Sequence, residues 1–241
     1  KPTVVAIGCV VVVAAVGLAA YLAFRKKEKL IALDSQTKIP FQLIDKKIYY
    51  KDVHPKFPDG GKMSQYLESL RLGDTVDIRG PAGKLVYKGR GEIGIKESLR
   101  KPEVIRRAKN LGLIAGGTGI TPMLQIIAAI VKDPEDTTHV SLLFANQTER
   151  DILVRDMLED LVKKEGRGGR FDLWYTLDRP PADGWKYSSG FISADMIQDY
   201  LPAPGPDTQI LMCGPPPMIN YACIPSLDKL GYTTDMYYAF G

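Results

Sequence analysis

Apolar and polar positions change rhythm three times along this chain. From Val4 to Phe24 no side chain is charged, and 21 residues at 1.5 Å rise make a helix of about 31 Å, the depth of a bilayer's hydrocarbon core. Residues 1–24 are therefore expected to be a transmembrane anchor. A buried core helix or a signal peptide is the competing reading, but the run exceeds a usual signal core and Leu18 to Phe24 offers a poor cleavage site. Arg25, Lys26, Lys27 and Lys29 follow the run, against only Lys1 and the amino terminus before it. The positive-inside rule then places everything downstream on the cytosolic face. Periodicity fades over 25–40, which reads as a juxtamembrane linker.

The second rhythm, over 41–101, is a series of short runs broken by Gly, Pro and Asp: Phe41 to Asp45, Lys47 to Lys51, Thr75 to Arg79, Lys84 to Tyr87 and Glu92 to Ile95. That is the pattern of small antiparallel β structure. Met63, Tyr66, Leu67 and Leu70 fall at i, i+3, i+4 and i+7, predicting a short helix closed by Gly73. In the third rhythm, over 102–241, strands too apolar to alternate (Leu111 to Ala115, Val140 to Ala145, Phe171 to Thr176, Gln209 to Cys213) take turns with helices at Pro122 to Lys132, Asp151 to Glu165, Ser193 to Leu201 and Pro217 to Leu230. Met236 to Phe240 adds a last strand. Strands buried on both faces and joined by helices predict a doubly wound parallel sheet. The expected fold class is thus α/β: a transmembrane helix, a truncated antiparallel barrel domain and a doubly wound domain.

Composition narrows the function classes. At 45% apolar and 25% charged residues the chain has globular proportions, which excludes wholesale disorder, collagen and simple coiled coil. A net charge of +4 without a basic aromatic stripe gives no case for nucleic acid. Cys9, Cys213 and Cys223 lack CxxC spacing and only two histidines exist, so no metal site is expected and a reducing compartment fits.

The candidate chemistry lies in two turns. Gly116-Gly117-Thr118-Gly119-Ile120-Thr121-Pro122 ends the first parallel strand and opens its helix. Its glycines permit positive φ and close approach of a phosphate, Thr121 can cap the helix, and Pro122 suits the first turn. Exposed N–H groups and the helix dipole favour an anion there; a tight strand-to-helix connection is the plainer alternative. The pattern is neither GxGxxG nor a P-loop, and no clear acidic ribose ligand follows at the dehydrogenase spacing, which disfavours an ordinary dehydrogenase domain. Cys213-Gly214-Pro215-Pro216-Pro217-Met218 ends the fourth parallel strand on the same carboxyl edge, where ligands bind in such sheets. Cys213 either projects into that crevice or is a small buried hydrophobe. Asn146, Thr148 and Asp178 supply polar groups at the neighbouring strand ends.

Together with Gly60-Gly-Lys-Met-Ser64, these two turns resemble the NADH-cytochrome b5 reductase family of ferredoxin-NADP reductase-like flavoenzymes, from about Ile48 to the C-terminus. The resemblance implies a barrel holding FAD and a doubly wound domain holding NADH, with hydride passing from nicotinamide to flavin and electrons leaving singly to cytochrome b5 or a similar haem protein. It implies that Lys62, Met63 and Ser64 hold the FAD pyrophosphate and that Lys47 and Tyr50 flank the flavin. It implies that Thr121 approaches the flavin, with Thr121 and Cys213 at the reacting centre. Gly116, Gly117, Thr118, Gly119, Ile120 and Pro122, with Cys213, Gly214, Pro215, Pro216 and Met218, would shape the nicotinamide site. Asn146, Thr148 and Asp178 would meet the rest of NADH, and the Asp178 carboxylate would disfavour a 2′-phosphate.

The family's Arg-x-Tyr-[Ser/Thr] string is absent between Arg25 and Pro102, and Ile44 to Ile48 passes straight from a first barrel strand to a much later one. An internal deletion is expected there, with flavin affinity suffering first. The expected function is a monomeric reductase anchored through residues 4–24 on the cytosolic face of the endoplasmic reticulum or outer mitochondrial membrane. The alternative is a flavin-deficient isoform acting as an NADH- or partner-binding module.

Overall fold

The computed structural model describes residues 39–43, 62–78, 83–98, 100–165 and 169–240. The expected anchor, most of the linker, the strand at 47–51 and the expected deletion lie outside them. Among the described residues no helix is long and apolar enough to cross a membrane.

The described residues fall into two compact units, 39–43 with 69–78, and 62–68 with 83–240. In the first, β1 (Ile39–Gln42) pairs antiparallel with β2 (Thr75–Ile78). Gly73, at φ +99°, makes the turn into β2, and its N–H bonds the Leu43 carbonyl at 2.9 Å. Helix α1 (Lys62–Ser69) precedes it in sequence, one residue earlier than the spacing predicts and shorter at its end.

In the second unit, β3 (Leu85–Gly89), β4 (Glu92–Ile95) and β5 (Val104–Arg107) form a separate antiparallel sheet. Among the described residues the antiparallel strands thus make sheets of two and three strands. Ile93 is fully buried, and Leu85, Tyr87 and Ile95 pack beside it on the core of the doubly wound sheet. Burial of a side chain such as Ile93 contributes about 1.5–3 kcal/mol.

Polar contacts fix this attachment. The Tyr87 hydroxyl donates to Asp136 Oδ2 at 2.6 Å and accepts from the Gly91 N–H at 2.9 Å. Asp136 is fully buried and also accepts from the N–H groups of Arg90 (2.7 Å) and Thr138 (3.0 Å). Burial alone would raise the Asp136 pKa; these hydrogen bonds outweigh it and hold the carboxyl below its ordinary value. Burial, then the Asp136 carboxylate, pushes Tyr87 up to about 12. At Gly91, φ is +77° and a Cβ would stand 2.2 Å from the Ala108 carbonyl oxygen, so only glycine allows this approach.

The main sheet runs β11-β10-β6-β7-β8-β9, all parallel. Its strands are β6 (Asn110–Gly116), β7 (His139–Asn146), β8 (Phe171–Leu177), β9 (Ser188–Ser189), β10 (Thr208–Cys213) and β11 (Tyr237–Ala239). Alternate side chains serve opposite faces. Leu111, Leu113, Ala115, Leu142 and Phe144 pack with α2 (Ile120–Lys132) and α3 (Arg155–Glu165). Ile114, Leu143, Ile210 and Met212 pack with α4 (Ala194–Tyr200), a π-helical turn at Met218–Cys223 and α5 (Ile224–Lys229). This is the expected doubly wound sheet, with a sixth, two-residue strand, β9, at its edge. The helix expected from Asp151 starts at Arg155, because Asp151 Oδ2 accepts from the Thr148 N–H (2.8 Å) and hydroxyl (2.7 Å).

Candidate active site

Strand register assembles the site. Cys213 lies opposite Ala115, Gly116 opposite Ala145, and Asn146 opposite Leu177. The carboxyl ends of β10, β6, β7 and β8 are therefore level, and the order reverses between β10 and β6, the usual crevice of such sheets.

The two turns touch at that switch point. A Cβ on Gly119 would stand 2.0 Å from the Cys213 carbonyl oxygen, and one on Gly116 would stand 2.7 Å from Met218 Sδ. On Gly214 it would stand 2.5 Å from Met218 Cε. Gly117 serves differently: its φ is +53° and nothing lies within 4 Å of the missing Cβ. The result is a cradle of bare backbone at the start of α2, open to an anion. Thr118, Pro215 and Pro216 are exposed around it and Pro122 is half-buried.

One expectation is corrected. Thr121 does not cap α2: the helix starts at Ile120 after Gly119, with no side-chain cap, and the Thr121 hydroxyl donates to the Thr118 carbonyl at 2.9 Å. Ile120 points into the core at 2% exposure, so only its backbone faces the turn. Cys213 is half-buried, and burial raises its thiol pKa, which keeps the sulfur protonated.

Asn146 is 7% exposed and neither its amide nitrogen nor its amide oxygen has a hydrogen-bond partner. The Tyr175 hydroxyl and the Gln209 amide nitrogen are also unpaired, but they sit back along their strands, whereas Asn146 ends β7 beside Gly116. An orphaned donor and acceptor at that place fit a polar ligand better than an empty crevice. Thr148 is half-buried with its hydroxyl proton given to Asp151, and Asp178 is exposed, its N–H on the Asn146 carbonyl at 3.1 Å.

On the same rim Arg179 donates to Gln147 Oε1 at 3.1 Å. The sequence reading missed Phe191, 79% exposed, which follows Gly190, whose N–H bonds the Leu177 carbonyl at 2.8 Å. The positive φ at Gly190 marks the bend, but a two-residue strand leaves no periodic trace. Of the flavin-side candidates, Lys62 and Met63 are exposed in the first turn of α1, which carries no acidic residue, and Ser64 lies in the same turn. Lys47 and Tyr50 lie outside the described residues. Among the described residues no cluster of His, Cys, Asp or Glu could hold a metal.

Residues 113–223 match the family model of the oxidoreductase NAD-binding domain, and residues 34–87 that of the oxidoreductase FAD-binding domain. NADH-cytochrome b5 reductase 2 of Homo sapiens is 56% identical over 194 residues, covering 80% of this chain and 69% of that protein. The chain belongs to the NADH-cytochrome b5 reductase family. NADH-cytochrome b5 reductase 1 of Bos taurus is 60% identical over 194 residues, covering 80% of this chain but 63% of the relative, so the chain spans less than two thirds of that family member. The crystal structure of the cytochrome b5 reductase domain of Ulva prolifera nitrate reductase superposes with a TM-score of 0.70 at 46% identity, covering 80% of this chain and 71% of that one. Neither family model covers 88–112, the stretch that holds β4 and β5 and ties them to the doubly wound sheet.

Proposed function

We propose that the chain is an oxidoreductase of the NADH-cytochrome b5 reductase type, taking reducing equivalents from NADH through FAD to cytochrome b5. The observation that carries this is the contact between the Gly116–Gly119 and Cys213–Gly214 backbones at the switch point, with the orphaned Asn146 amide beside it. When bound, FAD supplies the conversion from two-electron to one-electron transfer that no side chain here provides.

The chain's own residues bind and orient. Backbone N–H groups of Gly116, Gly117, Thr118 and Gly119 hold the NADH diphosphate at the start of α2. Gly214, Pro215, Pro216 and Met218 shape the nicotinamide end, with Ile120 and Pro122 setting the facing backbone. Cys213 stays a neutral thiol beside the reacting atoms, and Thr121 offers its oxygen lone pairs while its proton is committed to Thr118. Asn146 and Thr148 hold the remaining polar groups of NADH, and Asp178 repels a 2′-phosphate. Lys62, Met63 and Ser64, with Lys47 and Tyr50, hold FAD; a helix start without a carboxylate suits its pyrophosphate.

Residues 4–24 tether this monomeric reductase to the cytosolic face of the endoplasmic reticulum or the outer mitochondrial membrane. The match of residues 34–87 to a FAD-binding domain favours flavin chemistry over a module that only binds NADH or a partner. The purified full chain should be yellow, or become so with added FAD, and should reduce ferricyanide and then cytochrome b5 with NADH. A folded, colourless protein that takes up no added FAD refutes the proposal.

A further inference from the structure

Two sulfur atoms flank the nucleotide crevice, and their chemistry differs. Cys213 reacts with oxidants only as a thiolate, and burial keeps it protonated. Met218 has no such requirement, because a thioether is oxidised without losing a proton.

Met218 is half-buried, the first residue of the π-helical turn, and packs against both glycine turns at once. Its Sδ occupies the place of a Gly116 side chain and its Cε that of a Gly214 side chain, with 2.7 and 2.5 Å to the respective Cβ positions. The thioether is therefore the packing element between the ends of β6 and β10. π-Helical turns inside helices occur frequently at functional sites. Here the turn sets this one side chain at the switch point.

We infer that Met218 is an oxidation-sensitive site, whose conversion to the sulfoxide by a hydroperoxide forces the two glycine turns apart and weakens NADH binding. The peroxide O–O bond breaks as an S–O bond forms; sulfur loses two electrons, and the peroxide leaves as water or an alcohol. The added oxygen is polar and needs space against the Gly116 backbone, where the absence of a side chain is already used by the sulfur. A methionine sulfoxide reductase with a dithiol reverses the step, releasing water and a disulfide.

The inference rests on the NADH reading of the crevice, and the test separates the two. NADH affinity is measured by calorimetry on the full chain before and after hydrogen peroxide treatment, with added oxygen located by peptide mass spectrometry. Oxidation at Met218 should weaken NADH binding by about tenfold, as overpacking at such a contact implies, and the reductase should restore it. Met218→Leu, whatever its starting affinity, should show no further loss on treatment, whereas Met157→Leu, which removes an exposed thioether of α3, should lose affinity as the parent does. Equal loss in Met218→Leu, or an unmodified Met218 while Met157 is oxidised, overturns the inference. Failure of the untreated chain to bind NADH overturns the crevice reading and this inference with it.

Discussion

Replacing Gly119 by alanine tests the contact on which the site depends. Gly119 has φ −62° and ψ −8°, ordinary helical values, so alanine brings no backbone penalty. Its Cβ would nevertheless stand 2.0 Å from the Cys213 oxygen, 2.5 Å from the Cys213 carbonyl carbon and 2.9 Å from the Gly214 nitrogen. All three are backbone atoms, and no rotamer change relieves them. Ordinary contact begins at 3.4 Å, so the turns must part by 3.4 − 2.0 = 1.4 Å. Overpacking of this kind costs about 1–3 kcal/mol, which lowers Tm by about 2–12 °C for a chain of this size. A misplacement near 1 Å at a reacting centre lowers turnover by about a hundredfold. Gly117→Ala is the comparison: it meets no atom within 4 Å but must hold φ +53°, costing about 1–2 kcal/mol through the backbone alone. Thermal unfolding and NADH calorimetry on both variants check this. A Gly119→Ala chain with parental Tm and NADH affinity would show that the two turns are not in contact.

Asn146→Leu removes two unsatisfied buried polar atoms, so the ligand-free chain should melt no lower than the parent while NADH affinity falls by about tenfold; unchanged affinity in calorimetry refutes the role given to Asn146. Tyr87→Phe removes the donor to Asp136 and the acceptor of the Gly91 N–H, costing about 1–3 kcal/mol in urea unfolding. Because the Tyr87 pKa rises from 10.0 to about 12 on folding, its contribution is complete below pH 10 and is lost as pH rises towards 12. Tyrosinate absorbance should show one late-titrating group missing in Tyr87→Phe, and an unchanged titration curve contradicts the assignment. The Asp136 carboxyl, held low, works in the opposite sense: its contribution is present above its unfolded value of 3.8 and is lost as pH falls through the folded one. Asp178→Ser should raise the ratio of NADPH to NADH turnover, and a constant ratio counts against a ribose contact.

The doubly wound sheet was legible because its strands are continuous apolar runs and its helices are periodic. What escaped had a local physical cause. Val104–Arg107 does not alternate, and both Val104 and Ile105 are exposed, so nothing marks it as a strand until it pairs with β4. The start of α3 moved because Asp151 is engaged by Thr148, and Val154 adopts φ +50°. The π-helical turn was hidden because Ile219, Cys223 and Leu227 fall every fourth residue, as they would in a regular helix.

The same contrast separates the two halves of the site. The two glycine turns meet at close range, and that approach forces residue type locally: Gly119 and Gly116 against Cys213 and Met218, with prolines fixing the opposite turn. Such constraints are written in consecutive residues and can be read without the fold. The attachment of the three-stranded sheet depends instead on a tyrosine and an aspartate 49 residues apart, each unremarkable in its own sequence context. Asp136 looks like any turn residue until burial leaves its carboxylate dependent on Tyr87, Arg90 and Thr138. The chain therefore joins its three-stranded sheet to the NAD-binding domain by a polar contact, and loosening Tyr87 should disturb that sheet while the glycine turns, held by their own backbone packing, keep their register.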